Sequence, residues 1–239
     1  MGNEGKNGKV PLISKIAYGF GDVGCNFSWM FVSNFLMIFY TDVFGISMAA
    51  VSALMLFSRF WDAINDPIVG GLTDKTKTRW GRYRPYFIVP PVLLTIAAYF
   101  LFLNPQGLST NQKIIYCAVF YIIFQMLVTV CTMPQMAVLP AHVKNGNERN
   151  KVIILGTIFV ALAFTIATSF YAQLTDFFGG LGNLMLVYGI LTIIPFWGLF
   201  KFSKEKYLTS LGNRTILTDM KALIKRKELF NVILIWIMA

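Results

Sequence analysis

Charge is scarce in these 239 residues: 13% are Asp, Glu, Lys or Arg, where a soluble globular domain carries about 25%. Histidine occurs once, as His142, and there is no HExxH, GxSxG or CxxC pattern. A lone loop histidine is ordinarily solvated, so an enzyme has no acid, base, nucleophile or metal constellation to build on. Cysteine is nearly missing too. Cys25, Cys117 and Cys131 all fall inside apolar runs. An odd number of cysteines placed that way makes neither a disulfide framework nor a metal-ligand spacing. Acids are the rarer sign, 11 against 21 bases, for a net charge of +10. A nucleic-acid role would need a basic face on a folded module, and the distribution of the charges requires none.

Apolar residues take the room that charge leaves, at 56% of the chain. They come in blocks near the roughly 20-residue length that spans a bilayer. Six spans are expected at about 14–41, 46–73, 85–104, 112–141, 151–176 and 183–202. A seventh apolar run begins at Leu229 and the chain stops at Ala239. So short a run does not cross a bilayer, and the expectation is the N-terminal part of something longer. Met1–Pro11 is polar and the first span is too long for a signal-peptide core, so no cleavable leader is expected. MGNEGK, with Lys6, does not fit a myristoylation site. A short interfacial helix is expected around TDMKALIKRKE (218–228).

The bases alternate sides. Lys6, Lys9 and Lys15 precede span one, Lys75, Lys77, Arg79, Arg82 and Arg84 follow span two, and Lys144, Arg149 and Lys151 follow span four. Eight more, from Lys201 to Lys227, follow span six, and the opposite side has Lys113. By the positive-inside rule the N-terminus lies in the cytoplasm, with anionic membrane lipid as the expected partner of these charges.

Span two breaks the apolar pattern with RFWDAINDP (59–67). A charge at the centre of a span costs roughly 2.5–3.5 kcal/mol on insertion scales, so intramembrane charge points to function. Asp62 and Asp66 are four apart, and Arg59 is three before Asp62, which puts all three on one helical face. Together they carry one net negative charge, which one monovalent cation or one proton would neutralise. Asn65 adds an oxygen, and Pro67 cannot donate to the Ala63 carbonyl. Calcium would want six to eight oxygens and more negative charge, so the stretch suits Na+, Li+ or H+. A structural Arg–Asp pair joining helices is the bland alternative.

Span one carries Tyr18, Asp22, Asn26, Trp29 and Ser33 at helical spacing. A carboxylate, an amide and two aromatic rings suit a polyhydroxylated ligand. The same face would equally serve a helix–helix contact, eased by Gly19, Gly21 and Gly24. Span four shows Gln125, Thr129, Thr132 and Met136 on one face, though threonines in a span often bond back to their own helix. Thr157 in span five is a weaker signal of the same kind. Pro90, Pro91 and Pro195 read as kinks. Asp74 sits at the end of span two, where a helix C-terminus disfavours an anion, so a cationic partner or a neighbouring helix N-terminus is expected there.

GGLTDKTKTRWGRYRP (70–85) resembles the loop between the second and third helices of the major facilitator superfamily. Its WGRYRP form is similar to the glycoside–pentoside–hexuronide cation symporters, the melibiose permease-like family. YGFGD (18–22), YTDVFG (40–45) and RFWDAINDPIVG (59–70) fit the same family, and the resemblance runs from about Ile13 to the start of the seventh span. It implies an all-α membrane protein, the N-terminal six-helix bundle of a twelve-helix transporter, built from two inverted three-helix repeats. The chain then divides into a cytoplasmic tail (1–13), the bundle (14–202), a cytoplasmic middle loop (203–228) and the start of a truncated seventh helix (229–239). A missing C-terminal six-helix half is the implied partner.

The resemblance also implies roles. The family's cation site takes two aspartates and an asparagine from helix two and a threonine from helix four, which are Asp62, Asp66, Asn65 and Thr129 here. The sugar side departs from the melibiose pattern. That pattern has carboxylates where this chain has Asn26 and Thr132, arginine where it has Thr157, and tryptophan where it has Met136. A sugar other than melibiose is implied, held by Tyr18, Asp22, Asn26, Trp29, Thr132, Met136 and Thr157. Arg59, Asp74, Arg79, Arg82 and Arg84 form the expected charge network and gate. The implied activity is cation-coupled sugar symport across the cytoplasmic membrane. A truncated, non-transporting protein that binds cation or regulates a full-length carrier is the alternative.

Overall fold

Three polar residues stand immediately before helices and supply the acceptors that first-turn N–H groups need. Ser47 accepts from the Ala50 N–H, Asn145 accepts from the Asn147 N–H, and Ser109 forms a capping box with Gln112. In the computed structural model, which describes residues 11–203, 205 and 207, these caps open α2 (Met48–Lys75), α5 (Gly146–Ser169) and α4 (Thr110–His142). The other helices are α1 (Leu12–Ile38), α3 (Pro90–Leu101), α6 (Tyr171–Phe178) and α7 (Leu181–Phe202). A π turn, Phe39–Val43, prolongs α1, and a 3-10 turn, Arg84–Phe87, precedes α3. The tail before Pro11, most of the middle loop, the interfacial helix expected at 218–228 and the seventh span lie outside the described residues.

The helices fall on the six expected spans with two differences. The third span is a 12-residue helix behind a 3-10 turn. Pro90 and Pro91 open that helix and do not kink it, because a first-turn N–H has no intrahelical partner to lose. The fifth span is broken at Phe170 into α5 and α6. Pro195 lies inside a continuous α7, as Pro67 does in α2 and Pro134 and Pro140 do in α4.

Span one packs mainly on spans five and six, span four on spans two and three, and spans three and six on each other. Exchanging one with four, two with five and three with six returns the same set of principal neighbours. That is the relation between two inverted three-helix repeats. Small residues allow the close approaches on α1: a Cβ on Gly19 would meet Phe159, one on Gly21 would meet Leu199, and one on Gly24 would meet the Thr192 carbonyl. Phe31, Leu36, Phe87, Phe124, Leu184 and Phe196 fill the centre and are fully buried.

The outside is apolar as well. Phe60, Ile64, Ile68 and Leu72 on α2, Leu162 and Ile166 on α5, and Ile190 and Ile194 on α7 are exposed. Apolar surface this extensive belongs in lipid or against a partner. Among the described residues, four helical stretches are long and apolar enough to cross a membrane: 12–43, 110–142, 146–169 and 181–202. Helix α2 has the length, at 28 residues, and carries the charges of residues 59–66. The chain is a multi-pass membrane protein.

Candidate functional site

Helices α2 and α4 pack side by side and bring the two polar stripes together. Gln125 Nε2 donates to Asp62 Oδ2 at 3.1 Å. One turn along, the Thr129 hydroxyl donates to Asp66 Oδ1 at 2.9 Å. That hydroxyl also lies 3.2 Å from the Gln125 carbonyl oxygen. It has one proton, so its two acceptors share it. Asn65 is buried on the same stretch of α2, and its Nδ2 has no hydrogen-bond partner. Asp62 Oδ1 is likewise buried and unpartnered. A buried carboxylate oxygen with nothing opposite it is costly to leave so.

Arg59 makes no ion pair with either aspartate, although its charge acts on Asp62. It is exposed, and the ion pairs among the described residues are Lys15–Glu148 and Lys151–Glu148. An Arg–Asp pair joining helices is therefore not what holds α2. The aspartates are held by neutral donors from α4.

A second polar cluster joins α1 to α4. Asp22 Oδ1 accepts from Asn26 Nδ2 at 3.1 Å and from Gln135 Nε2 at 3.3 Å. The Tyr18 hydroxyl donates to the Gln135 main-chain oxygen at 3.0 Å. On its other side Asp22 lies against α5, where a Cβ added to Gly156 would stand 2.8 Å from Asp22 Oδ2. Trp29 is half-buried, Ser33 and Met136 are exposed, and Thr132 is half-buried. The hydroxyls of Thr132 and Thr157 bond to carbonyls of their own helices, those of Thr129 and Ile153. Spacing along α1 located Asp22 and Asn26 but gave no sign of Gln135, which lies to one side of the Gln125–Met136 face.

The α2–α3 loop grips the end of α7. Asp74 has a phenol for a partner, not a cation: Tyr83 donates to Asp74 Oδ1 at 2.7 Å. Tyr83 is buried, and burial, followed by the Asp74 carboxylate, pushes its pKa up to about 12. Glu205 accepts three main-chain N–H bonds, from Arg82 and Tyr83 at 2.7 Å each and from Arg84 at 3.1 Å. Gly81 makes room for it. Its φ of +117° suits glycine, and a Cβ there would lie 2.6 Å from Glu205 Oε1. Arg84 donates through Nε and Nη2 to the Phe200 carbonyl at 2.9 and 2.6 Å and stacks on the Phe200 ring. Arg79 stacks on Trp80, which meets Phe200 edge-on. Glu205 had no prominence in the sequence, where an acid among lysines reads as solvated. Glu148 was missed for the same reason; it is buried and ties α5 to Lys15 of α1 at 2.6 Å.

Comparisons with known proteins meet this geometry at family level. The MFS/sugar transport protein family matches residues 17–239. The isoprimeverose transporter of Lactiplantibacillus pentosus is 32% identical over 224 residues, 90% of this chain and 47% of the relative. The uncharacterized symporter YnaJ of Bacillus subtilis (strain 168) is 31% identical over 83% of this chain and 44% of its own length. The sodium-dependent lysophosphatidylcholine symporter 1 of Gallus gallus is 30% identical over 70% of this chain and 31% of its own length. The chain spans about half the length of the first two of these relatives.

Proposed function

Since the chain belongs to the MFS/sugar transport family, in its glycoside–pentoside–hexuronide cation symporter branch, we propose that it forms the N-terminal half of a secondary active transporter. That transporter carries a sugar or glycoside across the cell membrane together with Na+, Li+ or H+. The observation that carries the reading is the pair of α2 aspartates held by α4, Asp62 by Gln125 and Asp66 by Thr129. Asp62, Asn65, Asp66 and Thr129 take a monovalent cation. A bound cation offsets the negative charge, supplies the buried Asp62 Oδ1 with a partner, and fixes α2 against α4. Sodium is the first ion to test, because the Gallus gallus relative is named for its dependence on it.

The sugar lies against α1, α4 and α5, between this bundle and a second half. Asp22 is the anchor for sugar hydroxyls, with Tyr18, Asn26, Trp29, Thr132, Met136 and Thr157 around it. Asn26 and Gln135 hold the Asp22 carboxylate in one orientation, which leaves less freedom to lose when a ligand binds. Cation and sugar tighten each other by one coupling free energy. The α2–α3 loop, with Asp74, Arg79, Arg82 and Arg84, closes the cytoplasmic side, and the N-terminus lies on that side.

The test is the thermal unfolding midpoint of the purified chain in NaCl, LiCl, KCl and choline chloride at equal ionic strength. A cation at 100 times its Kd stabilises by about 2.7 kcal/mol. Na+ or Li+ should raise the midpoint of the wild type and leave Asp66→Asn unmoved. Equal midpoints in all four salts would remove the alkali-cation site.

A further inference from the structure

We infer that Gln125 is the residue that sets the alkali-cation selectivity of the aspartate pair, acting as a positioning residue through Asp62. The inference rests on the cation-site reading above and adds a residue outside the set Asp62, Asn65, Asp66 and Thr129. Gln125 is 5% exposed, so its amide is held between α2 and α4 and does not compete with bulk water for Asp62. It touches Asp62 directly and reaches Asp66 only through Thr129. Its side-chain Nε2 binds Asp62 Oδ2 at 3.1 Å. Its main-chain oxygen competes at 3.2 Å for the Thr129 hydroxyl, which also serves Asp66 Oδ1 at 2.9 Å.

The consequence is geometric. With Oδ2 tethered, the Asp62 carboxylate cannot rotate freely, and Oδ1, buried and unpartnered, keeps one direction. The separation between the Asp62 and Asp66 oxygens is then fixed by α4 and not by the ion that arrives. Oxygen sites discriminate between cations through cavity size, ligand number and flexibility. A tether that removes flexibility therefore belongs to the discriminating part of the site. An amide is suited to this position. It donates to the carboxylate without bringing a charge that would compete with the cation.

The experiment titrates the thermal unfolding midpoint of the purified chain with NaCl and with LiCl, at ionic strength held constant with choline chloride. Wild type is compared with Gln125→Met, which keeps the length and volume of the side chain and removes the donor. The expected result is a rise of about tenfold or more in the Kd for the preferred ion, in line with the loss of a hydrogen bond to a charged group, and a Na+ to Li+ Kd ratio that moves toward one. Where Gln125→Met does not fold, Gln125→Asn, whose amide is one methylene too short to reach Asp62, takes its place with the same expectation. A variant midpoint lowered equally at every salt concentration, with both Kd values unchanged, assigns Gln125 to packing and overturns the inference while leaving the cation site standing. A wild type with no response to either ion overturns both.

Discussion

The Tyr83 hydroxyl lies 2.7 Å from Asp74 Oδ1. The phenol's pKa is raised from 10.0 to about 12, by burial first and by Asp74 second. A folded-state value above the unfolded one gives a contribution that is complete below about pH 10 and is lost as the pH passes 12. Replacing Tyr83 by Phe should lower stability by about 1.5 kcal/mol at neutral pH, the lower end of the worth of a hydrogen bond to a charged group. The gap between the thermal midpoints of Tyr83→Phe and wild type should hold constant from pH 7 to 9 and shrink between 10 and 12. A gap that does not change with pH would mean that the two groups are not linked. Residues differ in how far spacing exposes them. Asp62 and Asp66 stand out because a carboxylate inside a span is costly, whereas Thr129 could simply bond back to its own helix and was singled out through the family resemblance. Gln135 and Glu205 do not stand out, because their partners sit 113 and more than 120 positions away.

At the scale of elements, Glu205 ties the α2–α3 loop to the end of α7. Hydrogen bonds to a charged acceptor are worth about 1.5–3 kcal/mol, and this carboxylate collects three main-chain donors. Glu205→Ala should cost about 1.5–3 kcal/mol of stability, since partial exposure lets water replace part of what is lost. Hydrogen exchange at the Arg82, Tyr83 and Arg84 amides should quicken while the Asp22–Gln135 region keeps its protection. Uniform protection across both regions in the variant would refute the tie. The helices themselves were legible, because apolar blocks of about 20 residues have few other uses. The break at Phe170 was not, because Ser169, Phe170 and Tyr171 include neither the proline nor the glycine that marks an interruption in sequence. The paired prolines before α3 were visible but misleading: whether a proline kinks or opens a helix depends on where the first turn falls.

For the whole molecule, the alternating bases predict an orientation. Lys77→Cys, in the α2–α3 loop, should react with an impermeant thiol reagent only after the cell is opened. Gln106→Cys, between α3 and α4, should react from outside in intact cells. Cys117 and Cys131 are buried, and both variants are made on a Cys25→Ser background. Reversed labelling would turn the bundle over. The six-span plan was legible from the apolar blocks, and the family from the 70–85 loop together with the aspartate stretch. The pairing of spans was not, because α1 meets α5 and α7 through contacts that no local pattern encodes.

That pairing has a consequence in time. Synthesis runs from the N-terminus, so α1 is made first and its principal neighbours last. Gln135 follows Asp22 by 113 residues, which at roughly 5–20 residues per second is a wait of about 6–23 s. Gly156, against which Asp22 also rests, comes later still. Throughout that interval a carboxylate stands in a span whose final partners do not yet exist. Asn26, four residues along the same helix and 3.1 Å from the carboxylate, is a partner Asp22 has from the moment α1 forms.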